Sequence, residues 1–193
     1  MIPDPELMVT LARRIEVQAG KKGWDNMGVG LGLVFARPDG AYSRPFPLQP
    51  DEIDDRDPIA GLFWIGATLR IRNAPPVMPP EYAAHFAGLM FASEAWFNDD
   101  PALERDTDQR ALADIPGSLE CRFVHIVDCG GRYHVVTRIR GKKPETITVQ
   151  PGDPDAVVVG RIPVALRAIM LGIAKRLPFG SMDLDAVTSL PDA

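Results

Sequence analysis

The sequence predicts an α+β fold: a single domain, residues 1–193, with a mixed, mainly antiparallel sheet of about four strands and helices packed on it. Three observations predict this class. A β-hairpin occupies about residues 119–140. Apolar runs at 29–36 and 89–97 have the length of buried strands. Segments with helical periodicity and helix start and stop signals stand between them.

The hairpin is the best-defined part of the chain. Two β-rich segments flank residues 129–131, Cys-Gly-Gly, which form a three-residue loop with a glycine for the left-handed position. The odd-numbered residues of both segments are the more apolar, so they share one face. This register pairs opposite charges at both ends, Asp128 with Arg132 and Glu120 with Arg140.

The even-numbered face of the hairpin collects the basic residues and is the predicted binding surface. The face holds Arg122, Arg132, His134, Arg138 and Arg140, and the predicted surface also includes Lys142 and Lys143, which lie just past the end of the hairpin. The register sets Arg122 against Arg138, which is unfavourable unless an acid intervenes. We expect this face to be open, with an apolar spot of Val124, Ile126 and Val136 among the charges. The alternative is that a helix covers the spot, with 161–177 as the candidate.

Helix signals stand at four places. Asp4, Pro5 and Glu6 begin a helix that ends near Gly20. Another runs from about 58 to 72. A short one begins at 81 and ends at Gly88, which we place in a left-handed cap. The fourth, 161–177, carries the clearest apolar stripe.

The remaining segments are predicted to be connections or minor strands. Residues 42–48 are predicted to form a short edge strand, which two prolines weaken. Residues 146–149 are predicted to form another short strand. Residues 98–117 are an acidic, mobile loop with room for one helical turn. Residues 178–193 are a loosely packed tail.

Composition excludes several classes of protein. A hydrophobic fraction of 46% predicts a globular chain, and a net charge of −5 argues against a protein that coats nucleic acid. Two cysteines cannot form a disulfide framework, so a reducing compartment is expected. No signal peptide and no membrane-length apolar segment is found, which predicts a soluble cytoplasmic protein. The bias towards Arg, Ala, Asp and Pro is typical of GC-rich genomes such as those of actinobacteria and their phages.

Few residues are candidates for chemistry. His125 and His134 point to opposite faces of the hairpin, so they cannot share a metal ion, and neither a metal motif nor a cofactor fingerprint occurs. Cys121 is expected in the core, and Cys129 in the turn is the more reactive thiol if either of the two is reactive. Glu94, among apolar residues, is the weak candidate for a general acid or base; alternatively it pairs with a hairpin arginine.

The functional prediction is a non-enzymatic protein that binds another protein through the open, arginine-rich face of its sheet. One alternative is an enzyme that acts on a small anionic substrate, with Glu94 as acid or base and Arg138 or Arg140 holding the anion. Another is a nucleic-acid-binding module that uses the hairpin arginines. No cofactor and no membrane association is expected, and the oligomeric state stays open.

Overall fold

A computed structural model describes residues 2–24, 29–47, 58–71, 77–98, 109–150 and 161–175. The predicted tail, 178–193, and residues 99–108 of the predicted loop lie outside these ranges. The helices are α1 (Pro5–Lys21), α2 (Pro58–Arg70), α3 (Pro80–Ala83), α4 (Gln109–Asp114) and α5 (Arg161–Ala174). The strands are β1 (Gly30–Arg37), β2 (Gly40–Pro45), β3 (Phe86–Phe97), β4 (Leu119–Asp128), β5 (Tyr133–Ile139) and β6 (Glu145–Val149).

The predicted α+β class is confirmed, with more strands than expected. The six strands form one sheet in the order β2-β1-β3-β4-β5-β6, and every neighbouring pair is antiparallel. The prediction of about four strands fell short because β2 and β6 are short edge strands with weak sequence signals. Pro45 ends β2 at the edge of the sheet, where proline is tolerated because no further strand needs its amide.

Helices cover both faces of the sheet. On the even-numbered face, α1 buries Met8, Leu11 and Ala12 in one cluster with Val124 and Val136. On the odd-numbered face, α2 and α5 pack against each other, and their buried residues join those of β1, β3 and β4 in the larger cluster. The prediction that the even-numbered face is open is therefore wrong for the centre of that face. A helix covers it, as the alternative held, but the helix is α1 and not residues 161–177.

The predicted register of the hairpin is confirmed. Residues whose numbers sum to 260 face each other, from Val127 with Tyr133 to Cys121 with Ile139. The loop closes with a hydrogen bond from the Asp128 amide to the Arg132 carbonyl, at 3.0 Å. Gly131 has a φ of 74°, the left-handed conformation that favours glycine.

Gly88 lies inside a strand and does not cap a helix. The predicted strand 89–97 is present but begins earlier, at Phe86, so the predicted helix shrinks to the single turn of α3. A Cβ atom at Gly88 would lie 2.2 Å from the Val127 carbonyl oxygen. Glycine is present here because the backbones of β3 and β4 approach too closely for any side chain, at a point where the register of β1 against β3 also shifts.

Glycines also bring α2 and α5 close together. A Cβ atom at Gly172 of α5 would lie 2.7 Å from the Leu69 Cβ, and one at Gly66 of α2 would lie 3.2 Å from the Ala168 Cβ. This contact buries one side of α2, formed by Leu62, Ile65, Gly66 and Leu69. The opposite side of α2 faces outward.

Candidate functional site

Arg122 is the largest fully buried side chain among the described residues, with 1% exposure. Its Nε donates to Glu94 Oε1 at 2.9 Å, its Nη1 lies 3.4 Å from Glu16 Oε1, and its Nη2 donates to the Gly23 carbonyl at 3.1 Å. The Trp24 ring lies against its guanidinium at 4.6 Å. A buried charge is stable only when it is paired and hydrogen bonded, and Arg122 meets that requirement through Glu16 on α1, Glu94 on β3 and the Gly23 carbonyl just after α1.

Glu16 is the acid that compensates the two arginines, Arg122 and Arg138, that the register sets against each other. It lies on α1 with no exposed surface and accepts hydrogen bonds from Arg138 Nε and Nη2, at 2.5 and 2.7 Å, as well as the contact from Arg122. Hydrogen bonding to Glu16 raises the pKa of Arg138 above its ordinary value. The two arginines that face each other across β4 and β5 are thus bridged by one carboxylate.

Asp128 organises the other end of the same face. Its carboxylate accepts hydrogen bonds from the Gly130 and Arg132 amides at 2.8 and 3.0 Å and from Arg132 Nε at 2.7 Å. The His134 Nε2 lies 3.2 Å from Asp128 Oδ2, and the His134 Nδ1 lies 3.1 Å from Thr148 Oγ1. His134 is fully buried with both ring nitrogens engaged, so this cluster holds the turn and β6 in place.

The predicted binding surface is therefore divided by burial. Arg122 and His134 are in the interior, which corrects the prediction that they are presented to a partner. Arg132 and Arg138 are mostly covered, with side-chain exposures of 13% and 29%. The residues that stay exposed are Arg140, which donates to Glu120 at 2.5 Å, Lys142 and Lys143. A binding role for these exposed residues stays a prediction.

Glu94 takes the ion-pairing arrangement that was the alternative to catalysis. Its Oε1 accepts from both Arg122 Nε and Arg122 Nη2, and its side chain keeps 11% exposure. A general acid or base needs a proton site that can face a substrate. In this geometry, Glu94 instead compensates the buried charge of Arg122.

His125 lies on the odd-numbered face of the hairpin, as the register predicts, and is buried there. Its Nδ1 lies 2.5 Å from the Tyr133 hydroxyl, and its ring stacks on Phe123 at 5.8 Å. Its Nε2 is buried and has no hydrogen-bond partner among the residues that the structure describes. Burial lowers the pKa of His125 to about 4 and raises the pKa of Tyr133 above its ordinary value.

The buried imidazole predicts a pH dependence of stability. In the unfolded chain His125 binds a proton near pH 6.5, whereas in the folded chain it does so only near pH 4. Its contribution to stability is therefore complete above pH 6.5 and is lost progressively as the pH falls to about 4, by on the order of 3 kcal/mol. Urea unfolding of the wild type and of His125→Phe at several pH values measures this loss. Identical pH profiles for the two proteins would contradict the assignment.

Both cysteines are buried, which confirms the expectation for Cys121 and means that the turn position does not make Cys129 reactive. The Cys129 side chain has no exposed surface, and its Sγ lies 3.5 Å from the Phe86 carbonyl oxygen. Burial raises the pKa of Cys129 to about 12 and also raises that of Cys121. Both thiols are free, and neither has the thiolate character that nucleophilic chemistry requires.

The outer face of α2 is the feature that the sequence did not reveal. Trp64 is 54% exposed, and Ile71, one residue past the helix end, is 61% exposed. Ala60 and Ala67 are exposed on the same side, at spacings of four, three and four residues. These four residues are called the α2 stripe below. The helix is apolar on its buried side as well, and a helix that is apolar all round is typical of a buried position.

Two other surface features are less suited to binding. A cavity of about 260 Å³ lies beside the start of α1, lined mainly by apolar residues with Asp4, Arg37 and His85. It is smaller than most ligand pockets, and Asp4 is already engaged as the cap of α1. The second feature is an exposed apolar pair, Phe97 and Leu119, which face each other where β3 ends and β4 begins.

Within the described ranges, no group of three or more His, Cys, Asp or Glu side chains has the arrangement of a metal site. Of the helices in the described part of the chain, none combines the length and the apolar character needed to cross a bilayer. Comparison with protein-family models, with curated proteins and with solved structures finds no match. The function is therefore inferred from the geometry of this chain's own residues.

Proposed function

We propose that this chain is a non-enzymatic protein that acts by binding another protein chain, and that the α2 stripe is its contact surface. The observation that carries the proposal is the exposure of Trp64, at 54%, in the middle of a helix that is apolar on every side. Exposed apolar surface of this kind is costly in water and is typical of protein interaction sites. Tryptophan is also among the residues most enriched at interface centres.

The surroundings of the stripe support this use. Leu62, Ile65 and Leu69 hold the buried side of α2 against α5 within the larger core cluster, so the outer side is presented on a rigid element. Arg161 lies 5.8 Å from the Phe63 ring beside the stripe and supplies a polar border. An apolar centre with a polar rim is the usual anatomy of an interface.

The catalytic alternative has less support. Arg122 and Arg138 form ion pairs with Glu16 that tie α1 to the sheet, Glu94 pairs with Arg122, and the thiols of Cys121 and Cys129 are buried. The nucleic-acid alternative retains Arg140, Lys142 and Lys143 as exposed cations, with Arg140 already paired to Glu120. Binding that weakens steeply with salt would favour that alternative over an apolar contact.

A capture experiment tests the proposal. The baits in an extract of the native host are the tagged wild type, Trp64→Asp and Ile147→Asp. Each captured chain is identified and purified, and its complex with the bait is then reconstituted from the two purified proteins. Ile147 is the matched control because it is 61% exposed but lies on β6. We expect a chain that binds the wild type and Ile147→Asp and is lost with Trp64→Asp. Equal capture by Trp64→Asp, or no chain that reassembles, would refute the proposal.

A further inference from the structure

The α2 stripe has features that identify its occupant. Its large residue, Trp64, stands between two small ones, Ala60 four residues before and Ala67 three residues after. The same surface thus carries both a projection and the shallow positions that a projection fills. A two-fold interface requires this property, since the same patch contacts itself.

We propose that the partner at the α2 stripe is a second copy of this chain, bound with the two α2 helices antiparallel. This inference rests on the proposed function and names its partner. Side chains on a helix tilt towards its N-terminus. In an antiparallel pair centred between residues 63 and 64, each Trp64 therefore leans over Ala67 of the second copy, and Ala60 of one helix lies beside Ala67 of the other.

Charge along the chain favours the antiparallel arrangement. In the sequence, the seven residues directly before α2 hold five acids, Asp51, Glu52, Asp54, Asp55 and Asp57, and one base, Arg56, so this run carries a net negative charge. Arg70 is the last residue of α2 and is exposed. An antiparallel pair sets the basic end of each helix beside the acid-preceded end of the other, and it also opposes the two helix dipoles. A parallel pair brings like ends together.

The contact is expected to be modest in strength. The 13 residues of α2 make a helix about 20 Å long, so the paired stripes form an interface at the small end of the range for specific complexes. We therefore expect a weak, reversible dimer whose population rises with protein concentration.

Sedimentation velocity of the purified full chain across a range of concentrations tests the dimer. Wild type and Ile147→Asp are expected to shift from monomer to dimer as concentration rises, and Trp64→Asp to raise the dissociation constant by at least about 30-fold. A wild type that stays monomeric at all concentrations while the Trp64-dependent capture persists would overturn the second copy as partner and leave the proposed function standing. A dimer that Trp64→Asp does not weaken would also overturn the inference.

Cysteine pairing tests the direction. Both native thiols are buried and free, so oxidation reports on introduced surface cysteines. We expect a mixture of Ala60→Cys and Ala67→Cys to form a disulfide-linked dimer. Ala67→Cys alone is expected not to, because antiparallel packing separates its two copies by roughly 10 Å along the axis, beyond the reach of a disulfide. Crosslinking of Ala67→Cys alone, without the mixed product, would mean a parallel pair and would contradict the proposal.

Discussion

Replacing Arg122 by alanine is expected to lower the free energy of unfolding by about 3–5 kcal/mol. Arg122 is 1% exposed and contacts Glu16 and Glu94 in the interior, so its removal leaves the fully buried Glu16 with one cation fewer and opens a cavity under α1. Urea unfolding monitored by circular dichroism measures the change.

Arg140→Ala is the matched control for this substitution. Arg140 belongs to the same predicted set and also pairs with an acid, Glu120, but its side chain is 56% exposed. Because solvent screens exposed ion pairs, we expect a loss within about 1 kcal/mol. Equal effects at the two positions would mean that Arg122 is open to solvent and that α1 does not cover this face.

Gly88→Ala is expected to cost more than about 4 kcal/mol or to prevent folding. The added Cβ would lie 2.2 Å from the Val127 carbonyl oxygen and 2.9 Å from the Asp128 Cα, and both are backbone atoms of the adjacent strand. Backbone atoms cannot move aside as a flexible side chain can, so β3 and β4 would have to separate at the centre of the sheet. Soluble yield and thermal unfolding report the effect.

The control for Gly88→Ala is Gly30→Ala. Gly30 also lies in a strand of the same sheet, but a Cβ atom there would meet no atom of the described residues within 4 Å. We expect this variant to remain folded with nearly unchanged stability. If the two alanine variants unfolded at the same temperature, the close approach of β3 and β4 at Gly88 would be disproved.

The register of the hairpin was predictable because the information is local. Parity of the apolar residues and the Gly130-Gly131 loop decide it within about twenty residues, and the pairing of Arg122 with Arg138 follows. The acid that the pairing of Arg122 with Arg138 requires could also be found in the sequence. Glu16 stands eight residues after Met8, on the stripe that α1 turns to the sheet, where a charge is unexpected.

What covers each face of the sheet was not predictable in the same way. The stripes of α1 and α5 are both apolar at helical spacing, and sequence periodicity does not say which helix packs on which face. Trp64 illustrates the same limit. An apolar helix indicates burial, and only the position of α5 shows that the contact stops at Leu62, Ile65 and Leu69 and leaves the indole outside.

Hydroxyl-radical footprinting at several protein concentrations tests the central claim most directly, because it reports on both sides of the molecule at once. Met8 lies between α1 and the sheet and has no exposed surface. It is therefore expected to stay unoxidised at every protein concentration. Trp64, at 54% exposure, is expected to oxidise rapidly in dilute solution and to become protected as concentration rises. Oxidation of Met8 at the rate of Trp64, or oxidation of Trp64 that does not depend on concentration, would contradict the account.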